Sequence, residues 1–279
     1  MQPRHRILPN HGTLFVSTDF HGNGADFRRM RQLFESHLAQ TPQTHWAILG
    51  DLVHAPDPQS RRDNPRLYDF DDESWEIVRG VSELHRQYPE RLHLILGNHD
   101  HGHVGGPHPR KFYWDEADHL ERSLSEQQLT VLCNLFNQAL IIIFAPCGIM
   151  CTHGVPSDFL CDPRDVDAIS FDVRKNSVTQ NALLATILRS YSQPGTNTAR
   201  MLKQVGQAIG LELSVAVHGH DRDEAGWYAE HGNQLQPVMF GAPDEEKRYL
   251  KLDLSEKYSG TDAIRDGSEI LRVHAPISE

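Results

Sequence analysis

Leu92-His-Leu-Ile-Leu96, followed at once by Gly97-Asn98-His99-Asp100, decides how this chain is read. The aliphatic run has the length and character of a buried strand. The four residues after it set an amide, an imidazole and a carboxylate just past the strand's end. Four other segments repeat that arrangement: Asp19-Phe20-His21 after Thr13–Ser17, Gly50-Asp51 after Trp46–Leu49, His153-Gly154 after Gly148–Thr152, and His218-Gly219-His220 after Leu213–Val217. Strands of an α/β sheet end at a common edge, so residues just beyond their C-terminal ends converge. Carboxylate, imidazole and amide oxygen gathered there suit a pair of hard-to-borderline divalent cations.

Between these strands the apolar spacing turns helical. Phe27, Met30, Leu33, Phe34 and Leu38 mark a helix over 25–39, and Trp75, Ile77, Val78, Val81 and Leu84 a second one ending before Pro89. The β-α-β-α-β order implies parallel neighbours. Residues 55–72, polar and rich in Pro, Asp and Arg, read as a long loop, as does 101–111. Helices are expected over 112–124, 125–137, 176–190 and 198–208. Ala139–Ala145 and Gly148–Thr152 read as strands joined by a tight turn. Alternating runs near 226–231, 235–240, 248–254 and 269–273 read as an antiparallel second sheet. The fold class is α/β, two packed mixed β-sheets flanked by helices. The five motifs span most of the chain and no linker composition divides it. A single domain over 1–279 is therefore expected, with a motif core over 13–254 and a C-terminal strand extension over 255–279.

A formal net charge of −11 argues against a nucleic-acid partner, whose phosphates call for a basic face. Eighteen histidines against five methionines fit a metal-binding chemistry. Cys133, Cys147, Cys151 and Cys161 form no CxxC pair, which favours reduced thiols and a cytoplasmic setting. The longest apolar run, 139–146, is too short to cross a membrane, and no signal peptide is evident.

Phosphoester hydrolysis needs charge neutralised at both the attacking and the leaving oxygen, which two cations about 4 Å apart can supply. A shared carboxylate holds such a pair, and Asp51 is the natural bridge. Asp19 and His21, two apart, would point the same way on an extended backbone and bind the first cation. Asn98, His153 and His220 would complete the second. Glycines beside Asp51, Asn98, His153 and His220 let the chain turn and approach closely. His99, next to a ligand, faces the same cavity and suits a general acid that protonates the departing alkoxide. One of His218 and His220 is expected to be structural.

These motifs resemble those of the calcineurin-like metallophosphoesterases, and within them the phosphoprotein phosphatase family. Asp19-Phe-His-Gly-Asn23 is similar to the family's DxHG segment, Gly97-Asn-His-Asp100 to GNHE, Cys151-Thr-His-Gly154 to its HGG motif, and Gly219-His220-Asp221 to the late histidine motif. Lys111-Phe-Tyr-Trp-Asp-Glu116 resembles the aromatic-acidic stretch that follows GNHE, and Met239-Phe-Gly-Ala-Pro243 the late FSAP segment. The resemblance runs from about Thr13 to Leu254 and implies a serine/threonine phosphatase-like enzyme acting by a metal-bridging hydroxide. It places His99, His54 and Asp100 in the catalytic group and implies two divalent metals, manganese first, with iron or zinc as alternatives. Arg222, where phosphodiesterases ending in GHxH carry a second histidine, also favours this branch.

The family's GDxVDRG reads here Gly50-Asp-Leu-Val-His54-Ala55-Pro56. His54 replaces the aspartate that steadies the general acid, Ala55 replaces a phosphate-gripping arginine, and Leu96 stands where another often precedes GNH. Arg200, Arg110 and Asn98 are the expected substrate-binding residues, with Arg61 and Arg62 as further loop cations. The Asp51-to-Asn98 spacing of 47 residues suggests that 55–72 is a lid over the metals. The expected substrate is a phosphomonoester, on a phosphorylated protein or a small molecule. The alternatives are a dinucleoside polyphosphate or other small-molecule phosphohydrolase, and a non-enzymatic metal-binding scaffold. A mononuclear zinc hydrolase accounts poorly for Asp51 and Asn98.

Overall fold

A computed structural model describes residues 3–274. Eleven strands run in chain order as β1 (His5–Ile7), β2 (Thr13–Ser17), β3 (Thr44–Ile48), β4 (Leu92–Leu94), β5 (Ile142–Ala145), β6 (Ile149–Cys151), β7 (Val215–Val217), β8 (Trp227–Glu230), β9 (Gln234–Pro237), β10 (Arg248–Asp253) and β11 (Ile270–Arg272). One sheet has the order β11-β10-β2-β3-β4, the other β1-β5-β6-β7-β9-β8. In the first, β2, β3 and β4 are parallel and β10 returns antiparallel to β2. In the second, β6 is parallel to β7 and β7 to β9.

The strands are apolar on both faces because both faces are covered. Leu14, Val16, Ala47, Leu49, Ile143, Ala145, Val215, Val217, Leu250 and Leu252 share one core between the two sheets. Their neighbours Phe15, Trp46, Ile48, Phe144, Met150 and Ala216 point outward into a second core, as the two-residue period of a strand requires. The helices Gly24–Gln40 and Ser74–Gln87 cover one sheet through Phe27, Met30, Phe34, Ile77, Val81 and Leu84. The helices Val178–Arg189 and Gly195–Ile209 bring Leu184, Ile187, Met201 and Val205 to the same core. Trp46 is fully buried there, and its Nε1 donates to Ser17 Oγ at 2.9 Å.

The last four strands do not form a sheet of their own. β8 and β9 join the six-stranded sheet, whereas β10 and β11 join the five-stranded one. Alternation fixes which residues face inward but not which distant strand is the neighbour. β1, at the edge beside β5, had no sequence signal. The expected loop at 55–72 holds two short helices, Pro58–Asp63 and Pro65–Tyr68. Pro58 and Pro65 sit at helix starts, where a missing N–H costs nothing, and Asp57 caps the first by accepting from Gln59 N and Ser60 N. Within 101–111, Gly102–Val104 is a 3-10 turn that continues the short helix Asn98–His101. The helix expected over 112–124 is only Glu116–Glu121, because Asp115 caps it by accepting from Asp118 N.

Candidate metal centre and active site

The ends of β2, β3, β4, β6 and β7 bring Asp19, His21, Asp51, Asn98, His153 and His220 together. Asp19 and His21 do not lie on extended backbone. Asp19, His21, Asp51, His54 and His220 all have positive φ, at 52°, 43°, 53°, 74° and 77°. That conformation is strained for a side chain and is held here by backbone pairing between the loops. Asp19 N donates to Gly50 O, His21 N to Asp51 O and Gly22 N to Leu52 O, at 2.9–3.0 Å. His220 N donates to Asp19 Oδ2 at 3.0 Å and His99 N to Asp51 Oδ1 at 2.8 Å.

Asp100, expected in the catalytic group, does other work. Its Oδ2 accepts from Asp51 N and Gly97 N, and its Oδ1 from Leu52 N. Fully buried, its carboxylate clasps the Asp51 loop to the start of the Asn98 helix, with both oxygens committed to backbone amides.

The donors fall into two groups that share Asp51. His21 Nε2 lies 3.6 Å from Asp51 Oδ2 and 3.8 Å from Asp19 Oδ1. His153 Nε2 lies 3.4 Å from Asp51 Oδ2 and 3.0 Å from Asn98 Oδ1. Asp51, His153 and His220 form one group of donor atoms close enough for a single cation, and Asp51, His21 and His99 another. The second-layer hydrogen bonds fit this reading. His153 Nδ1 donates to Leu49 O at 2.6 Å and His21 Nδ1 to His54 O at 3.3 Å, which leaves both Nε2 lone pairs facing the carboxylates. His220 Nδ1 is buried without a partner. The residues present therefore fit two divalent cations.

Burial would raise the Asp51 carboxyl, but His153, His99 and His21 around it hold it well below the usual carboxylate range. Burial would lower His153, yet the Asp51 and Asp19 charges push it up to about 9. Burial and the neighbouring His153 bring His220 down to about 3.

His99 lies beside this centre, its ring 4.6 Å from that of His21. Its Nδ1 is 3.0 Å from His54 Nδ1. Burial, His99 and His103 together hold His54 well below the ordinary histidine range. Glu116, to which the sequence reading gave no role, is buried behind both rings. His218 is buried just past β7, its ring 6.0 Å from that of Tyr228, and of the pair only His220 lies in a donor group with Asp51 and His153.

A cleft of about 810 Å³ opens over the centre, lined by His21, Asp51, Asn98, His99 and His220 and rimmed by cations. Arg110 is at this rim, its guanidinium over Trp114. Arg200 is not: it is exposed and pairs with Asp158 Oδ2 at 2.6 Å. Arg61 and Arg62 bond within the 55–72 segment, to Asp71 and Gln59, away from the cleft. Lys111, Arg189 and Arg222 stand at the rim instead. Arg189 had one signal, being the sole charged residue of its helix. The 55–72 segment stands beside the centre rather than across it. Tyr68 stacks on Phe240 at 5.1 Å and accepts from Arg222 Nη1, and Phe240 packs on His21 at 4.1 Å.

Comparison with known proteins agrees with this geometry. The sequence matches no curated protein. A serine/threonine phosphatase from Saccharomyces cerevisiae, similar to human phosphatase PP5, superposes with a TM-score of 0.59 at 14% identity, over 96% of this chain and 81% of that one. A mutant cold-active protein tyrosine phosphatase gives 0.60 at 14% identity, over 91% and 78%. The cold-active protein tyrosine phosphatase of a psychrophilic Shewanella species gives 0.54 at 14%, over 91% and 78%. At such identities the likeness speaks for the fold. The family model described as calcineurin-like phosphoesterase matches residues 12–237, which span all six donors and the cleft. With its two sheets, its shared Asp51 and that match, the chain belongs to the calcineurin-like phosphoesterases and is a metal-dependent phosphoester hydrolase.

Proposed function

We propose that the chain hydrolyses phosphomonoesters, with phosphoserine and phosphothreonine in proteins as the substrate class. The observation that carries this reading is the sharing of Asp51 by two groups of buried donors, on the floor of an open cleft rimmed by four cations. Asp19, His21 and Asp51 hold one cation, and Asp51, Asn98, His153 and His220 the other. When bound, the metals supply Lewis acidity at the phosphoryl oxygens and at the attacking water. Manganese leads among candidates because oxygen donors are prominent in the set.

Lys111, Arg189 and Arg110 replace the grip missing at Ala55 and Leu96 by charge-assisted hydrogen bonds to phosphate oxygens. Asn98 both ligates and helps orient the substrate. His99 gives its proton to the leaving oxygen, with His54 behind it. The net charge and the four unpaired cysteines support a cytoplasmic enzyme of one domain without a nucleic-acid partner, and among the described residues no helix is long and apolar enough to cross a membrane.

One observation favours dinucleoside polyphosphates instead. Tyr191, exposed at the cleft and stacked on His220 at 4.8 Å, offers a flat face to a nucleobase. A panel of phosphoserine and phosphothreonine peptides, alkyl phosphates and a dinucleoside tetraphosphate, run with manganese, iron or zinc and metal analysis, tests the reading. Peptides should give the highest kcat/KM; a higher value for the dinucleotide replaces it with the second.

A further inference from the structure

Glu116 opens a helix on the protein's periphery, yet its side chain is 1% exposed. Its Oε1 accepts from Lys111 N at 3.0 Å and Phe112 N at 2.5 Å, so backbone fixes the carboxylate plane. Its Oε2 lies 3.0 Å from His99 Nδ1 and 3.7 Å from His54 Nδ1, without a hydrogen bond of good angle to any group. A buried carboxylate oxygen is costly unless a donor reaches it, and His99 Nδ1 is the closest ring nitrogen.

The direction of the protons follows from the surface inward. Glu121, partly exposed, can only accept, so His103 Nδ1 donates to its Oε1 at 2.8 Å. His103 Nε2 is then an acceptor and takes the proton of His54 Nε2 at 2.9 Å. Neutral His54 is left with a bare Nδ1, which faces His99 Nδ1 at 3.0 Å. Two lone pairs cannot meet there, so His99 Nδ1 carries hydrogen. Two acceptors, His54 Nδ1 and Glu116 Oε2, converge on that one N–H. Nε2, at the other edge of the ring, is the nitrogen left for the cleft.

We propose that Glu116 is a positioning residue for the reaction: with the His54–His103–Glu121 chain it fixes the ring orientation and tautomer of His99. It does so from a segment of chain far from His54 in sequence. The inference rests on reading His99 as the general acid. It assigns the general acid a carboxylate partner in this chain, although histidine stands at position 54.

The test compares wild type, Glu116→Gln and the double variant Glu116→Gln with His54→Asp. Each is assayed on an alkyl phosphate and on p-nitrophenyl phosphate, with metal content measured. Glutamine keeps an oxygen for Lys111 N and Phe112 N, and aspartate tolerates the left-handed backbone of residue 54. Expected for Glu116→Gln is a kcat loss of about 10–100-fold on the alkyl ester, part of the general acid's own 10²–10⁴-fold. The activated ester should be slowed far less, with KM and metal content unchanged. The double variant should recover the alkyl-ester rate. Equal losses on both esters, absence of rescue, or a third metal equivalent that Glu116→Gln removes would each overturn the proposal. If Glu116→Gln does not fold, Glu116→Asp, which withdraws Oε2 from His99, carries the same comparison. His99→Ala is run in parallel. If it shows no leaving-group dependence, the general-acid reading itself fails; if it does, only the role of Glu116 is at stake.

Discussion

Gly97 packs its backbone directly against the carboxylate of Asp51: a Cβ at residue 97 would fall 2.1 Å from Asp51 Oδ1 and 2.2 Å from Asp51 N. The contact joins the β3 and β4 loops, so the Asp51 carboxylate has one position. Gly50, with φ of 92°, meets Gly97 from the other side for the same reason. Gly97→Ala is therefore expected to destabilise by about 1–3 kcal/mol through overpacking and to lower metal content. Thermal unfolding and elemental analysis check both.

Asp51→Asn removes the charge that both groups of donors share. Loss of an outer-layer partner costs about 10–100-fold in metal affinity or activity, and loss of a bridging ligand should exceed that. At least one metal per chain should disappear on elemental analysis, with turnover falling below detection. A variant retaining full metal would remove Asp51 from the bridge.

His99→Ala leaves the six proposed ligands Asp19, His21, Asp51, Asn98, His153 and His220 in place, so metal content should not change. Hydrolysis of esters with poor leaving groups should slow by roughly 10²–10⁴-fold, and activated aryl phosphates less. Paired assays on an alkyl and an aryl phosphate read the difference directly.

Arg189 and Arg200 separate the cleft from the surface. Arg189→Ala should lower kcat/KM by roughly 10–100-fold, the worth of one charge-assisted hydrogen bond of about 1.5–3 kcal/mol. Arg200→Ala breaks only an exposed pair with Asp158 and should leave kinetics unaltered. Steady-state assays on one phosphopeptide decide it.

Lys247 is buried, its Nζ 2.8 Å from Asp26 Oδ2 and 2.6 Å from Asp244 Oδ1. Lys247→Met leaves the buried Asp26 only His274 as a partner, 2.7 Å from its Oδ1, and should cost up to about 3–5 kcal/mol in urea unfolding. Burial would lower the ammonium's pKa, but Asp26 and Asp244 outweigh it and raise it above the ordinary lysine value. A raised folded-state pKa means stabilisation complete at neutral pH and lost only as pH climbs through the alkaline range. The gap between wild type and variant should therefore narrow only well above pH 10, near and beyond lysine's ordinary value of about 10.4.

The strand-end motifs were legible because each is a local pattern: an aliphatic run fixes the strand, and the next few residues must emerge at its C-terminal edge. That reasoning placed Asp19, His21, Asp51, Asn98, His153 and His220 together without long-range information. It also erred where backbone conformation mattered, since Asp19 and His21 share the site through left-handed turns rather than an extended run. Asp100 looked chemical because it follows Asn98 and His99, but the short helix there turns it onto backbone amides.

Sequence by itself determined the layered α/β architecture and which strand-end side chains gather at one place, because strand periodicity and motif order are properties of neighbouring residues. Only the tertiary structure decided that β8 and β9 leave β10 and β11 for the other sheet, that Arg189 and Lys111 rather than Arg200 reach the cleft, and that Glu116 backs His99. Those contacts join segments distant along the chain, and they are set by which surfaces pack together, which no local pattern encodes.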